Sequence, residues 1–219
     1  MVKKLAVMVA VVAAGLLTML GAGAASAAPN IPLGGGSGII IVKSGDSGSA
    51  CTLTTIGNDG AGRLIGLTAG HCGEVGQAVF SERFGNRGQA GRIIVSNNDL
   101  DFDVIAFDRA KVAPLRTVGS VTIRGIQTAA PQFPSVLCKT GRTTGSTCGV
   151  TFFSDNVSHF SAVCVAEGDS GSPVVIGDRL IGMVNAYYFT ACIGPETGSN
   201  IGPILNAMSR AGVTNFRVI

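Results

Sequence analysis

Hydrophobic positions along this chain come in short bursts. Apolar or alternating runs occur at Ile39 to Val42, Leu64 to Thr68, Gln77 to Phe80, Gly91 to Val95, Val104 to Phe107, Ser120 to Ile123, Val150 to Phe153, Pro173 to Ile176 and Leu180 to Val184. Clusters of Gly, Asn, Asp, Ser and Thr separate them, so each run reads as a strand bounded by turns. Between residues 30 and 200 no stretch holds a helical period for three turns. The pattern predicts a mostly β protein with a short C-terminal helix over about residues 203–211, where Leu205 and Met208 share a side and Pro203 suits a helix start. A chain with this many short strands is a sandwich or a closed barrel arrangement. Residues 30–38, rich in glycine, read as a loose lead-in.

The first 28 residues follow a different pattern. Lys3 and Lys4 precede an apolar run from Leu5 to Leu20, and Ala24-Ala25-Ser26-Ala27-Ala28 follows. A charged, an apolar and a small-residue region in that order are the marks of an export signal cleaved near residue 28. The apolar run is short for a membrane span and no stop-transfer charges follow it, so no stable membrane anchor is expected. The domain would then occupy residues 29–219.

Composition narrows the function classes. The chain has 219 residues, 46% of them apolar and 13% charged, which excludes disorder. Its net charge of +3 includes the two lysines of the signal, and the small remainder supports no nucleic-acid partner. The only histidines are His71 and His159, and the six cysteines are scattered singly, so a paired-cysteine metal site has no ligands and no cofactor is implied. An even cysteine count suits disulfides in an oxidising compartment, although counting cannot choose the pairing.

Residues 68–72 read TAGHC and residues 167–173 read EGDSGSP. A serine hydroxyl is a poor nucleophile unless a neutral imidazole takes its proton, and that imidazole needs a carboxylate to fix its tautomer. Glycines around the serine answer a second demand, since an oxyanion is held by backbone N–H groups on a sharply turned loop that side chains would obstruct. The two motifs together resemble those of chymotrypsin-fold serine proteases in their secreted bacterial, streptogrisin-like branch. Cys138-Lys-Thr-Gly-Arg-Thr-Thr-Gly-Ser-Thr-Cys148 resembles the bridged loop of that branch, and Cys164 precedes Ser170 at the branch's spacing.

The resemblance implies an all-β fold of two six-stranded antiparallel barrels, the first over about residues 38–110 and the second over about 118–202, with the site in the cleft between them. It makes Ser170 the nucleophile, His71 the general base and the amides of Gly168 and Ser170 the oxyanion hole. It pairs Cys51 with Cys72, Cys138 with Cys148 and Cys164 with Cys192. It also pairs Lys139 with Asp169, the alternative being two solvated side chains. The specificity pocket would be lined by Asn185, Ala186 and Tyr187, with Tyr187 standing where glycine is usual. No acid occurs from Asn156 to Val165, so an uncharged pocket is expected, disfavouring Arg or Lys before the cleaved bond. The implied partner is a peptide or protein substrate, and the implied state a secreted monomer.

Three points stay open at this level. The triad acid is Asp101 if the apolar pattern from Val104 to Phe107 sets the register, with Asp103 and Asp99 as alternatives. Asp103 is awkward in any case, because a carboxyl two residues along a strand shares a face with the first and repels it. Residues 45–49 repeat the letters of residues 168–172, GDSGS, so Ser47 is formally a second nucleophile. It precedes the histidine motif, against the order of the family, and reads as a turn. His159, without a neighbouring carboxylate motif, reads as a surface or pocket-rim residue. Two function classes follow. One is an exported serine endopeptidase; the other is a binding or structural protein that keeps the fold without useful turnover, suggested by Ser172, Asp103, Tyr187 and the short stretch between the signal and Cys51 where the branch carries a pro-segment.

Overall fold

The computed structural model describes residues 30–43 and 47–219. The expected export signal lies outside the described residues, as do Ser44 and the Gly45 and Asp46 that open the first GDSGS. In chain order the strands of the first half are β1 (Ile31–Gly34), β2 (Gly38–Val42), β3 (Gly48–Thr52), β4 (Thr55–Asn58), β5 (Leu64–Ala69), β6 (Ala78–Ser81), β7 (Gly91–Asn97) and β8 (Phe102–Phe107). A connecting segment carries β9 (Val112–Leu115), β10 (Thr117–Val118) and β11 (Val121–Thr122). The second half holds β12 (Gly125–Ile126), β13 (Val136–Gly141), β14 (Gly145–Ser154), β15 (Ser158–Ser161), β16 (Pro173–Ile176), β17 (Arg179–Tyr187) and β18 (Glu196–Asn200). Helix α1 (Ile201–Arg210) and β19 (Arg217–Val218) end the chain.

In the second half the order β17-β16-β13-β14-β15-β18 is closed by pairing of β17 with β18, giving a six-stranded barrel. In the first half the order is β19-β4-β5-β8-β7-β6-β2-β3, an eight-stranded sheet. Only Leu53 and Thr54 separate β3 from β4, so the chain itself carries the free edge of the roll around towards its other side. The fold is all-β, and its first sheet is rolled by chain continuity where its second is closed by hydrogen bonds.

Packing explains why several strands read as unbroken apolar runs. On β5 and β8, Leu64, Ile105 and Phe107 point into the first core with Ile39, Ile41 and Leu53. Ile65, Leu67, Phe102 and Val104 point the other way, into a core shared with Val175, Leu180 and Met183 of the second barrel and Ile201, Ile204 and Met208 of the helix. Both faces of these strands are therefore dry, and alternation is lost. A third core, of Leu137, Val163, Val165, Val174, Ile181 and Val184, fills the second barrel.

Two expectations change here. The lead-in is not loose: Ile31 and Leu33 are fully buried, and β1 pairs in parallel with β9, Ile31 opposite Val112. A short segment with alternating buried apolar residues gains more from that burial than its glycines cost in ordering. Helix α1 starts two residues earlier than Pro203, because Asn200 takes the extended cap position, and the proline falls in the first turn, where its missing N–H is harmless. Its buried stripe is Ile201, Ile204, Ala207 and Met208, with Leu205 half-buried.

Candidate active site

Strand β5 ends at Ala69 and the chain tightens into a single turn, Gly70–Cys72, that lifts His71 to the rim of the cleft. Gly70 is required by close approach, since a Cβ there would lie 2.8 Å from the Phe102 nitrogen and 3.0 Å from the Asp101 carbonyl carbon. That approach sets Asp101 beneath the histidine. The His71 amide donates to Asp101 Oδ1 at 2.7 Å, and His71 Nδ1 lies 2.9 Å from Asp101 Oδ2. Because the carboxylate only accepts, Nδ1 carries the proton, which leaves Nε2 to accept from the Ser170 hydroxyl 2.8 Å away.

Asp101 sits just before β8 with φ 48°, a left-handed conformation that aspartate tolerates better than most residues. Asn185 of β17 holds it there, its Nδ2 donating to Asp101 Oδ2 at 2.7 Å and to the Asp101 carbonyl at 2.8 Å. The Asn185 amide is held in turn by the Ser199 N–H, 2.7 Å from its Oδ1. These contacts tune the charges. The hydrogen bond to Asp101 holds His71 above the ordinary imidazole range, against the effect of its partial burial. Burial would raise Asp101, but the His71 hydrogen bond and charge, with Asn185, keep its carboxyl below the usual range.

The nucleophile loop is anchored from both barrels. Asp169 is fully buried and meets the buried Lys139 Nζ at 3.2 Å. The amides of Thr143, Thr144 and Ala166 also donate to it, at 2.9, 3.2 and 3.1 Å. From the first barrel the Thr52 amide donates to the Ser170 carbonyl at 2.8 Å, and the Thr54 hydroxyl to the Gly171 carbonyl at 2.7 Å. Gly171 has φ +84°, and a Cβ there would overlap the Thr52 carbonyl oxygen, so no other residue fits. Ser172, the departure from the usual glycine, is buried and spends its hydroxyl on the Asp169 carbonyl at 2.6 Å. The Gly168 and Ser170 amides donate to no acceptor among the described residues.

Two hollows flank Ser170. One, of about 290 Å³, is lined by Val165, Ala166, Val184, Asn185, Ala186 and Tyr187. The other, of about 510 Å³, runs past His71, Ser49, Arg142 and Gly168. Glu167 borders both, so the uncharged pocket expected from residues 156–165 acquires a carboxylate at its lip from the motif loop itself.

The remaining candidates fall elsewhere. Asp99 is exposed in the turn before Asp101. Ser47 is exposed at the β2–β3 hairpin, its carbonyl accepting from the Lys43 amide at 3.0 Å, and it is Ser170 that meets the His71 ring. His159 is a correction: it is fully buried, not at the surface or a rim. Gly182 and Gly198 lack the Cβ atoms that would fill its place, Asn200 Oδ1 lies 3.0 Å from its Nδ1, and Glu196 Oε1 lies 3.3 Å from its Nε2. The carboxylate it needed comes from β18, far along the chain and adjacent only through strand pairing. The three disulfides join Cys51 to Cys72, Cys138 to Cys148 and Cys164 to Cys192.

Neither a family model nor a curated protein matches the chain. Solved structures do. Thermobifida fusca protease A is 22% identical with a TM-score of 0.67, the match covering 86% of this chain and 98% of that one. Nocardiopsis protease is 22% identical with a TM-score of 0.69, over 85% and 98%. Cellulomonas bogoriensis chymotrypsin is 24% identical with a TM-score of 0.63, over 86% and 99%. The chain has the chymotrypsin-like fold of these bacterial serine proteases.

Proposed function

We propose that this chain is an exported serine endopeptidase that cleaves peptide bonds through an acyl-enzyme on Ser170. The observation that carries the reading is the continuous line from Asp101 through His71 to the Ser170 hydroxyl, with contacts of 2.9 and 2.8 Å. In the scheme common to serine proteases, Ser170 Oγ attacks the substrate carbonyl while its proton passes to His71 Nε2. Asp101 does not take a proton; it stabilises the imidazolium that forms. The carbonyl oxygen becomes an oxyanion in reach of the Gly168 and Ser170 amides, which have no competing acceptor among the described residues. His71 then protonates the leaving amine, and a water attacks the acyl-enzyme by the same route in reverse. The hollow between Val165 and Tyr187 takes the side chain before the cleaved bond, with Tyr187 limiting its size.

Export is supported by the signal-like N-terminus and by three disulfides, which persist in oxidising compartments. A fluorophosphonate probe tests the proposal, because only a serine with a working base and a formed oxyanion site reacts quickly. Labelling is expected on Ser170, abolished by Ser170→Ala and untouched by Ser47→Ala. No labelling of the folded, oxidised protein would transfer the weight to a non-catalytic binding domain.

A further inference from the structure

Two residues beyond the acid that holds His71, a second carboxyl is sealed inside the protein. Asp103 has no exposed surface, and neither of its oxygens makes a hydrogen bond of ordinary geometry. In the sheet it lies between Thr68 of β5 and Ser96 of β7. The Thr68 hydroxyl is committed to the Thr52 carbonyl at 2.8 Å. The Ser96 hydroxyl and the Gly73 amide, in the turn after His71, lie near the carboxyl and favour its ionised form. The charged groups around it are Asp101, ahead of it on its own chain segment, and His71 from the turn packed against the strand. Lys43, from the β2–β3 hairpin, acts on His71 in the opposite sense to both aspartates.

A buried carboxylate without a partner is costly, and the cost is relieved by keeping the proton. Burial first, and then the charge of Asp101, push the Asp103 carboxyl up to about 7, against Ser96, Gly73 and His71. Because Asp101 lies before β8 with φ 48°, its side chain is free to turn to the histidine while Asp103 stays in the sheet. The two acids thus divide the work, one ionised against the imidazole and one held neutral behind it.

Resting on the peptidase reading of His71, Asp101 and Ser170, we infer that Asp103, an unpartnered carboxyl sealed in β8 behind the acid that holds His71, is a positioning residue for the base: its negative charge, when present, stabilises the His71 imidazolium, so that the neutral base appears at higher pH than Asp101 alone would set. Asp103 is sealed from solvent while the His71 side chain is 49% exposed, so the coupling passes through the packed turn and strand and is partly damped by water.

The imidazole signal of His71 is titrated by NMR in Ser170→Ala protein with and without Asp103→Asn; the buried His159 serves as internal reference. Asp103→Asn is expected to lower the His71 midpoint by on the order of half a pH unit or more. In the Ser170 protein the acid limb of kcat/KM should move down by the same amount. Asp103→Ala, carrying the small side chain usual in the resembled family, should move both in the same direction if the amide packs poorly. A His71 midpoint that stays in place or rises in both variants overturns the inference. The NMR arm needs no turnover, so an inactive protein with a shifted midpoint would refute the peptidase reading and leave the Asp103 coupling standing.

Discussion

At Asp101 the two carboxylate oxygens receive the His71 amide, the His71 ring N–H and the Asn185 amide together. An Asn in that place keeps the shape but offers an N–H₂ to the ring, which reverses the tautomer and leaves Nε2 protonated against Ser170. Asp101→Asn is therefore expected to lower kcat by about 10⁴-fold near neutral pH while the folded content, followed by circular dichroism, is retained. Asp103 acts on stability with the opposite sign. Burial pushes its folded carboxyl up to about 7 from the ordinary aspartate value of 3.8, so between those limits the native state holds a proton the unfolded state has lost. Stability from this group is complete below about pH 4 and is lost as pH rises to about 7, by on the order of a few kcal/mol. Thermal melts should show Asp103→Asn gaining on the wild type across that window, and equal melts at pH 4 and pH 8 would contradict the burial argument.

At the level of elements, the serine loop has little regular structure of its own and is held by neighbours. β13 contributes Lys139, whose ammonium burial pulls below the ordinary lysine range while Asp169 pulls it back up. Its other contacts are the Thr144 hydroxyl and the Gly145 carbonyl, so the bridged loop, the ion pair and the serine turn form one unit. Lys139→Ala leaves Asp169 charged and buried with no cation, a change that costs about 3–5 kcal/mol in comparable pairs. Urea unfolding should show a loss of that order, and Lys139→Met, which restores bulk without charge, should recover little of it. A loss below about 1 kcal/mol in both would mean that the turn is held by its amides alone.

For the whole molecule, the site exists only where the two halves meet: His71 and Asp101 come from the first sheet, Ser170 and Asn185 from the second barrel. Each disulfide stays within one half, with sequence separations of 21, 10 and 28 residues. In the chain-entropy model loops of this size stabilise by roughly 3 kcal/mol each, by limiting the unfolded chain. The non-reduced protein should give three crosslinked peptides, 51/72, 138/148 and 164/192, and no free thiol, and, if exported as proposed, an N-terminus near residue 28. A peptide joining Cys51 to Cys138 would be incompatible with this arrangement of sheets.

Local pattern carried the reading of this protein a definite distance. Runs of four or five apolar or alternating residues between turn formers are enough for an all-β chain, because burial on one or both faces of a strand is written in neighbouring residues. The motifs around His71 and Ser170 singled out those residues through their likeness to a family, and the structure sets them in one hydrogen-bonded line with Asp101. What the chain alone left undecided depends on which strands lie side by side. The Asp101 clamp comes from Asn185, which the sequence placed only in the pocket wall; the partner of His159 is Glu196 on a paired strand; and β1 and β19 are held by β9 and β4. The isolation of Asp103 follows from β5 and β7 closing over both sides of β8. Hydrophobic period reports whether a side chain faces the interior, but strand order sets what it meets there, and that order comes from closing the sheets on themselves.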